Sequence, residues 1–345
     1  MASGLSPWAE LLWGVMGLAL VLYVLTGGAD LGAGLWSIIA SGPRRKAQQE
    51  AVHEALAPIW EANHVWLIFI IVVMFSAFPR AFAALSIALH IPISLALVGL
   101  VLRGAGFVFH AYGIHTEEVR SRWGVVFAIA SLATPVMLGT VVAAVSSGDI
   151  RVEDGIVTTG FLAGWTTVFA LLLGGFVLAL SAMLAAVYLA AETTGELSED
   201  FRRRALVSEV LAGILAGLVF WRASSNAPEF FAALARSPWT WPIQAATAAA
   251  AISTMALLLK RRFGWARFSA AVQVACVVFG WGLAMQWHFI IPDVSITTAG
   301  SVAEVLPWLV VGIGIGSLLL FPALAYLYRV FKLRPSRALR ERPPA

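Results

Sequence analysis

The stretch GFLAGWTTVFALLLGGFVLALSAMLAAVYLAAE, residues 160–192, decides how this chain is read. It holds no charged side chain before Glu192. A helix rises 1.5 Å per residue, so about 20 apolar residues cross the hydrocarbon core of a bilayer. This stretch exceeds that length and has no polar face of the kind a helix in water needs. Working outward, eight more stretches of the same character lie at 7–40, 57–78, 81–112, 123–147, 205–223, 239–259, 268–290 and 305–331. None alternates with the two-residue period of a barrel strand. The composition of the 345 residues agrees: 60% are apolar and 12% charged, against about a quarter charged in an ordinary globular domain. Mean hydropathy is +0.86. These figures exclude a soluble enzyme, a disordered chain, a coiled coil and a secreted disulfide scaffold. The single cysteine, Cys276, excludes an internal disulfide and a thiolate zinc site. The expected fold is an all-α polytopic membrane protein with nine transmembrane helices.

The basic residues set an expected orientation. Nineteen of the 23 Lys and Arg fall on one set of loops, at Arg44, Arg45, Lys46, Arg103, Arg120, Arg122, Arg202 to Arg204, Lys260 to Arg262, Arg267 and six from Arg329 to Arg342. Arg80, Arg151, Arg222 and Arg236 fall on the other. With nine spans this bias puts the C-terminus in the cytoplasm and the N-terminus outside. The pI of 9.6 is then a topology signal, not a sign of nucleic-acid binding. The first span lacks a basic n-region and carries Glu10, so no cleavable signal peptide is expected. Residues 42–56 read as a short surface helix and 332–345 as a mobile cytoplasmic tail. No strong internal repeat is visible. Helix count suggests a first four-helix bundle at 1–147, a second at 148–290, and an outer loop with a ninth helix at 291–331.

An ionisable residue inside a span is a functional hypothesis by default. Asp30 lies in Thr26–Gly34, TGGADLGAG, where four glycines let a neighbouring helix approach closely. A locally satisfied aspartate and a proton or structural polar site are both open readings there. The second span starts with Pro58-Ile59-Trp60-Glu61-Ala62-Asn63-His64-Val65-Trp66. Glu61 and His64, three apart, share a helical face and suit a proton relay, although a helix N-terminus also favours Glu61 for structural reasons. His90, expected near the middle of the third span, is by default a histidine bonded to another helix. A haem-ligand role for it is the lesser reading, with Met74, Met137 or Met285 as formal second ligands. His288 and Asp293, after the eighth span, are expected in water or at a subunit contact. Gly312 and Gly316 form a GxxxG face for helix packing. No phosphate loop, HExxH, CxxCH or metal-spaced ligand cluster is present.

Ala57 to Ile68, APIWEANHVWLI, resembles the A-P-x-W-(D/E)-G-N-x-V-W-L-I signature of subunit II of cytochrome bd-type quinol oxidases. Thr26–Gly34 resembles that family's T-D-G-F-D-(L/M)-G-x-G, and Arg103 with Gly106-Phe107 its R-x-x-G-F. Tyr188 with Thr194-Gly195-Glu196-Leu197, and Ala284-Met285 with Phe289 to Pro292, match further family motifs, in register from about residue 10 to 332. The resemblance implies two four-helix bundles plus one peripheral helix in a bacterial or archaeal plasma membrane. It implies a partner, subunit I, that carries haems b and d, oxidises quinol and reduces O2 to water in aerobic respiration. Subunit II then binds no haem firmly and lines part of a proton path from the cytoplasm. Asp30, Glu61, Asn63 and Trp66 are the residues that carry over, and His64, at a variable position of the motif, joins them as the relay candidate read from its own chemistry. A structural quinone or lipid in an apolar groove, and small accessory subunits, fit the same picture. The chain departs from the pattern at Gly27, Val108 and Ala62, where the family usually has an aspartate, an acidic residue and a glycine. Two missing carboxylates imply a divergent member, with two readings open: a proton path rerouted through His64, or one that belongs mostly to the partner subunit. Two alternatives stand beside this one: a proton-coupled secondary transporter, which needs a discontinuous span at the midplane, and a purely structural scaffold subunit.

Overall fold

The structure, a computed structural model, describes residues 6–56, 60–112, 117–300 and 304–331. The 332–345 tail lies outside the described residues, and of Glu61 only the backbone is described. The elements run α1 (Pro7–Ile38), α2 (Arg45–Leu56), α3 (Trp60–Asn63), α4 (Val65–Ala77), α5 (Pro79–Ala88), α6 (His90–Tyr112), α7 (Glu117–Ser147), β1 (Val152–Glu153), β2 (Ile156–Val157), α8 (Val168–Glu192), α9 (Gly195–Asn226), α10 (Pro228–Arg236), α11 (Thr240–Leu259), α12 (Phe263–Ala284), β3 (His288–Ile290), β4 (Val294–Ser295), α13 (Ile296–Ala299) and α14 (Val305–Phe331). Among them, eight helices are individually long and apolar enough to cross a membrane, and nine if the bent pair α4 and α5 forms one span. The fold is all-α apart from two antiparallel ribbons, β1–β2 and β3–β4, and the protein is a multi-pass membrane protein.

The deciding stretch becomes α8, the central helix: 61% of its most apolar window is buried, against 0% for α14. Thr167 starts it, its Oγ1 accepting from the Ala170 amide at 3.1 Å. Small residues at Ala179, Ser181, Ala182, Ala185, Ala186 and Ala190 are buried and let neighbours close in. The glycines of α1 do not break it, and their use is contact. A Cβ built at Gly32 would lie 1.9 Å from the Ser181 carbonyl oxygen, and one at Gly34 would lie 2.2 Å from Ser131 Oγ. Thus α1 presses on α8 and on α7. Helix association in lipid depends on such close backbone approach, because lipid removes the hydrophobic drive between helices.

Several span boundaries differ from expectation, and proline accounts for the bend before α6. The second span ends at Phe78, and Pro79 starts a new helix at 118° to the first. Proline cannot donate into the preceding turn, but it suits a first helical position. The third span therefore begins at His90, not at 81. The same device ends α9: Ala227 (φ −147°, ψ 61°) precedes Pro228, as Phe78 (φ −133°, ψ 58°) precedes Pro79. The segments are SAFPRAFAAL at 76–85 and SNAPEFFAAL at 225–234, with six of ten residues identical, 149 positions apart. Gly32 and Ser181, pressed together where α1 crosses α8, are also 149 apart. A repeat is therefore present where the bare sequence shows none strongly. The fifth span starts at Val168 rather than 160, and the eighth ends at Ala284, giving way to β3.

The two ends of the bundle carry different polar ties. At the arginine-rich end, Asp200 accepts from Arg44 Nε and Nη2 (2.8 and 2.7 Å) and from Gln48 Nε2 (2.9 Å), pinning α2 and its loop to α9. At the other end Asp293 does not stand free in water. Its side chain is 14% exposed, and it accepts from Arg151 Nε, Arg151 Nη2 and the Val152 amide at 2.8, 3.0 and 2.8 Å. It thus ties one ribbon to the other, and it holds the Arg151 guanidinium above its ordinary pKa. The α14 glycines 312, 314 and 316 meet nothing within 4 Å among the described residues, so the expected GxxxG face is not packed within this chain.

Candidate functional site

The strongest polar feature inside the bundle is an ion pair. Arg103 Nη2 donates to Asp30 Oδ1 at 2.7 Å and to the Asp30 backbone oxygen at 3.0 Å. Both side chains are 1% exposed. The guanidinium also lies 5.3 Å from the centroid of the Phe127 ring of α7, a cation–π arrangement. Arg103 is therefore not a loop residue of the basic end, as charge counting placed it. It stands within α6, amid Leu102, Gly104, Ala105 and Phe107, and crosses to α1. A buried charge persists only when paired and hydrogen-bonded, and here Asp30 supplies both.

Around this pair the structure gathers further polar groups. Tyr23, one helical turn before Gly27, is 4% exposed. Its ring fills the space that a side chain at 27 would need: a Cβ there would lie 2.8 Å from Tyr23 Cε2. This is the physical counterpart of the missing first aspartate. His64 sits 6.2 Å from Tyr23, ring to ring, within electrostatic reach of Arg103. Asn63 is 3% exposed, in α3, which packs on α1. On these residues five buried atoms have no hydrogen-bond partner among the described residues: Tyr23 Oη, Asp30 Oδ2, Asn63 Oδ1, His64 Nδ1 and Arg103 Nε.

The expected set is thus partly assembled. Asp30 and His64 belong to the cluster, and Asn63 is buried beside α1. The Glu61 side chain lies outside the described residues, although α3 brings its backbone against α1. The Glu61–His64 face is not one unbroken helix, because the chain turns at His64 between α3 and α4. Trp66 faces elsewhere, 6.4 Å from Phe321 of α14. Arg103 and Tyr23 are the residues that sequence reasoning missed as site members. Arg103 had a signal, being flanked by apolar residues on both sides. Tyr23 had none before the structure placed it over Gly27.

His90 is exposed at the first position of α6, not midway along it. Its Nδ1 lies 2.9 Å from the Ile87 carbonyl, and its ring meets Phe161 edge-on at 4.9 Å. Two cavities among the described residues, of about 300 and 390 Å3, lie at the arginine-rich end and have no histidine in their lining. Among the described residues no three His, Cys, Asp or Glu groups converge.

A mostly helical, multi-pass membrane protein with a deeply buried Asp–Arg pair is the class that fold and site define. The family model for cytochrome bd terminal oxidase subunit II matches residues 8–331, and the chain belongs to that family. It is 23% identical over 344 residues to the putative cytochrome bd menaquinol oxidase subunit II of Bacillus subtilis, covering 96% of each chain. It is 24% identical over 320 residues to the cytochrome bd-I ubiquinol oxidase subunit 2 of Escherichia coli, covering 83% of this chain and 82% of the other. The solved structure of bd oxidase from Geobacillus thermodenitrificans contains a chain of the same fold. The TM-score is 0.79 at 23% identity, over 96% of this chain and 100% of that one.

Proposed function

We propose that the chain is subunit II of a membrane quinol:O2 oxidoreductase, and that the cluster around Asp30 handles protons for the reduction of O2 to water. Family membership supports the oxidase role and does not favour the transporter alternative. The chain is a subunit of an oxidoreductase complex, not a catalyst alone. In this reading haems b and d belong to the partner subunit I, where quinol is oxidised. The arginine-rich end faces the cytoplasm. Residues 1–147 and 148–290 form two related bundles, supported by the repeated Pro bends and the shared 149-residue offset.

The observation that carries the proton role is the set of five unpartnered polar atoms around one buried ion pair. Buried polar groups are normally hydrogen-bonded, and an internal water takes two to four of them as partners. The cluster is therefore hydrated in this reading. Asp30 Oδ2, turned away from Arg103, is the carboxylate oxygen left to meet that water. Arg103 fixes the orientation of Asp30. In this reading Glu61 is the exchangeable carboxyl of the second-span motif, with His64, Asn63 and Trp66 of the same motif in support. Tyr23 supplies a hydroxyl on the helix where the family's first aspartate is absent.

The test is Glu61→Gln in the assembled complex. We expect haem content and assembly to be retained and quinol-dependent O2 consumption to fall by about a hundredfold, the lower end of what a positioned proton-transfer group contributes. Intact turnover would leave the scaffold reading and remove the relay.

A further inference from the structure

A second buried carboxylate lies far from this cluster in sequence and has a different kind of partner. On α9 the buried stripe Ala205, Ser208, Glu209, Ala212 follows helical spacing, and on α12 the stripe Ala266, Ser269, Ala270, Gln273, Val274 does the same. Glu209 and Gln273 are 4% and 5% exposed. They reach across the interior to each other, Gln273 Nε2 donating to Glu209 Oε1 at 2.7 Å. The remaining oxygen on each, Glu209 Oε2 and Gln273 Oε1, has no hydrogen-bond partner.

An ionised Glu209 would leave both of these oxygens as buried acceptors without a donor, and its charge would face one neutral amide. No salt bridge reaches it among the described residues. On its own helix the nearest cations are Arg203 and Arg204. Arg204 is five residues away, about 7 Å along the axis, and its Nη2 donates to Gln48 Oε1 at 2.6 Å. Arg222 lies at the other end of α9. On α12, Arg267 pairs with Glu192 of α8 at 3.2 Å. Between Val168 and Glu192, α8 has no other charged residue, and α11 has none. Glu229 and Arg236 of α10 lie at the opposite end of the bundle, and Asp30 of α1 is taken by Arg103. One added proton on Oε2 resolves both defects. The acid O–H donates to Gln273 Oε1 while the acid carbonyl accepts from Gln273 Nε2, closing a two-hydrogen-bond acid–amide ring.

We infer that Glu209 is a proton-binding site: at neutral pH its carboxyl is the neutral acid, and its proton lies between Oε2 and Gln273 Oε1. A neutral acid can be buried where an unpaired carboxylate cannot. The site gives the second half of the chain a proton-holding group of its own, independent of the Asp30–Arg103 pair and of the role proposed above for Glu61.

The experiment is infrared spectroscopy of the intact complex at neutral pH, wild type against Glu209→Gln, in light and heavy water. The difference should contain one carbonyl band of a protonated carboxyl, shifted down in heavy water, and no carboxylate stretch. Loss of a carboxylate stretch with no acid carbonyl band would overturn the inference. Should Glu209→Gln fail to assemble, Gln273→Leu carries the test. The acid carbonyl loses its donor, and its band should move to higher frequency; an unmoved band would overturn the pairing.

Discussion

Replacing Arg103 with methionine should destabilise the complex by about 3–5 kcal/mol, the cost of leaving one member of a buried pair uncompensated. Asp30, 1% exposed and with no other described cation bonded to it, would then have to carry an uncompensated charge or take up a proton, and either state costs stability. Against a total stability of about 5–15 kcal/mol, that is enough to remove most of the assembled protein. Charge balance, more than the mere presence of Arg103, is the requirement. The double variant Asp30→Asn/Arg103→Met should recover most of the loss, because it removes both charges together. Lysine at 103 should fall between, since an ammonium lacks the planar fork that meets both the Asp30 carboxylate and its backbone oxygen. Thermal melting of the purified complex measures all three. A double variant as unstable as the single one would show that the two residues are not energetically coupled.

Gly32→Ala should be the most damaging single-methyl insertion in the chain. The new Cβ would lie 1.9 Å from the Ser181 backbone oxygen and 2.3 Å from its carbonyl carbon. Neither atom can swing away, so α1 and α8 must separate along their crossing. Overpacking of this kind costs about 1–3 kcal/mol when side chains can yield, and here backbone must yield instead. Gly28→Ala, one turn earlier on the same helix, provides the contrast. Its Cβ would rest 3.6 Å from Ser181 Oγ, an ordinary contact, and should change stability by less than about 0.5 kcal/mol. Melting temperatures and yields of intact complex for the two variants test this. Equal behaviour would contradict the close crossing of α1 and α8.

The spans were legible in the sequence because lipid demands length and hydropathy, and those are linear properties. The seventh, 239–259, and the ninth, 305–331, match α11 and α14 closely. The bends were not legible in the same way. A hydropathy reading passes through Phe78-Pro79 without noticing that proline ends one helix and starts another. The repeat around Pro228 is a ten-residue match 149 positions away, which a hydropathy reading passes over and the matching backbone angles draw attention to. Arg103 was misassigned because counting basic residues treats every arginine as a loop marker, and a buried arginine requires knowing that Asp30 lies opposite. The residues flanking it already spoke for a helix interior. Glu209 is similar: it stands among apolar residues just after Arg202 to Arg204, and their loop signal masked it. The use of the α1 glycines for close approach was readable, whereas Tyr23 filling the space at Gly27 needed the coordinates. At α14, the glycine spacing suggested a packed face, but spacing alone does not say that a neighbour is present in the same chain.

The most direct test of the oxidase reading is optical. The chain is purified from its native membrane together with whatever stays bound, and a dithionite-reduced minus oxidised spectrum is recorded. Bands of both b- and d-type haem are the predicted result. No haem at all, in a preparation that retains its partners, would contradict the assignment of this chain to a working quinol oxidase.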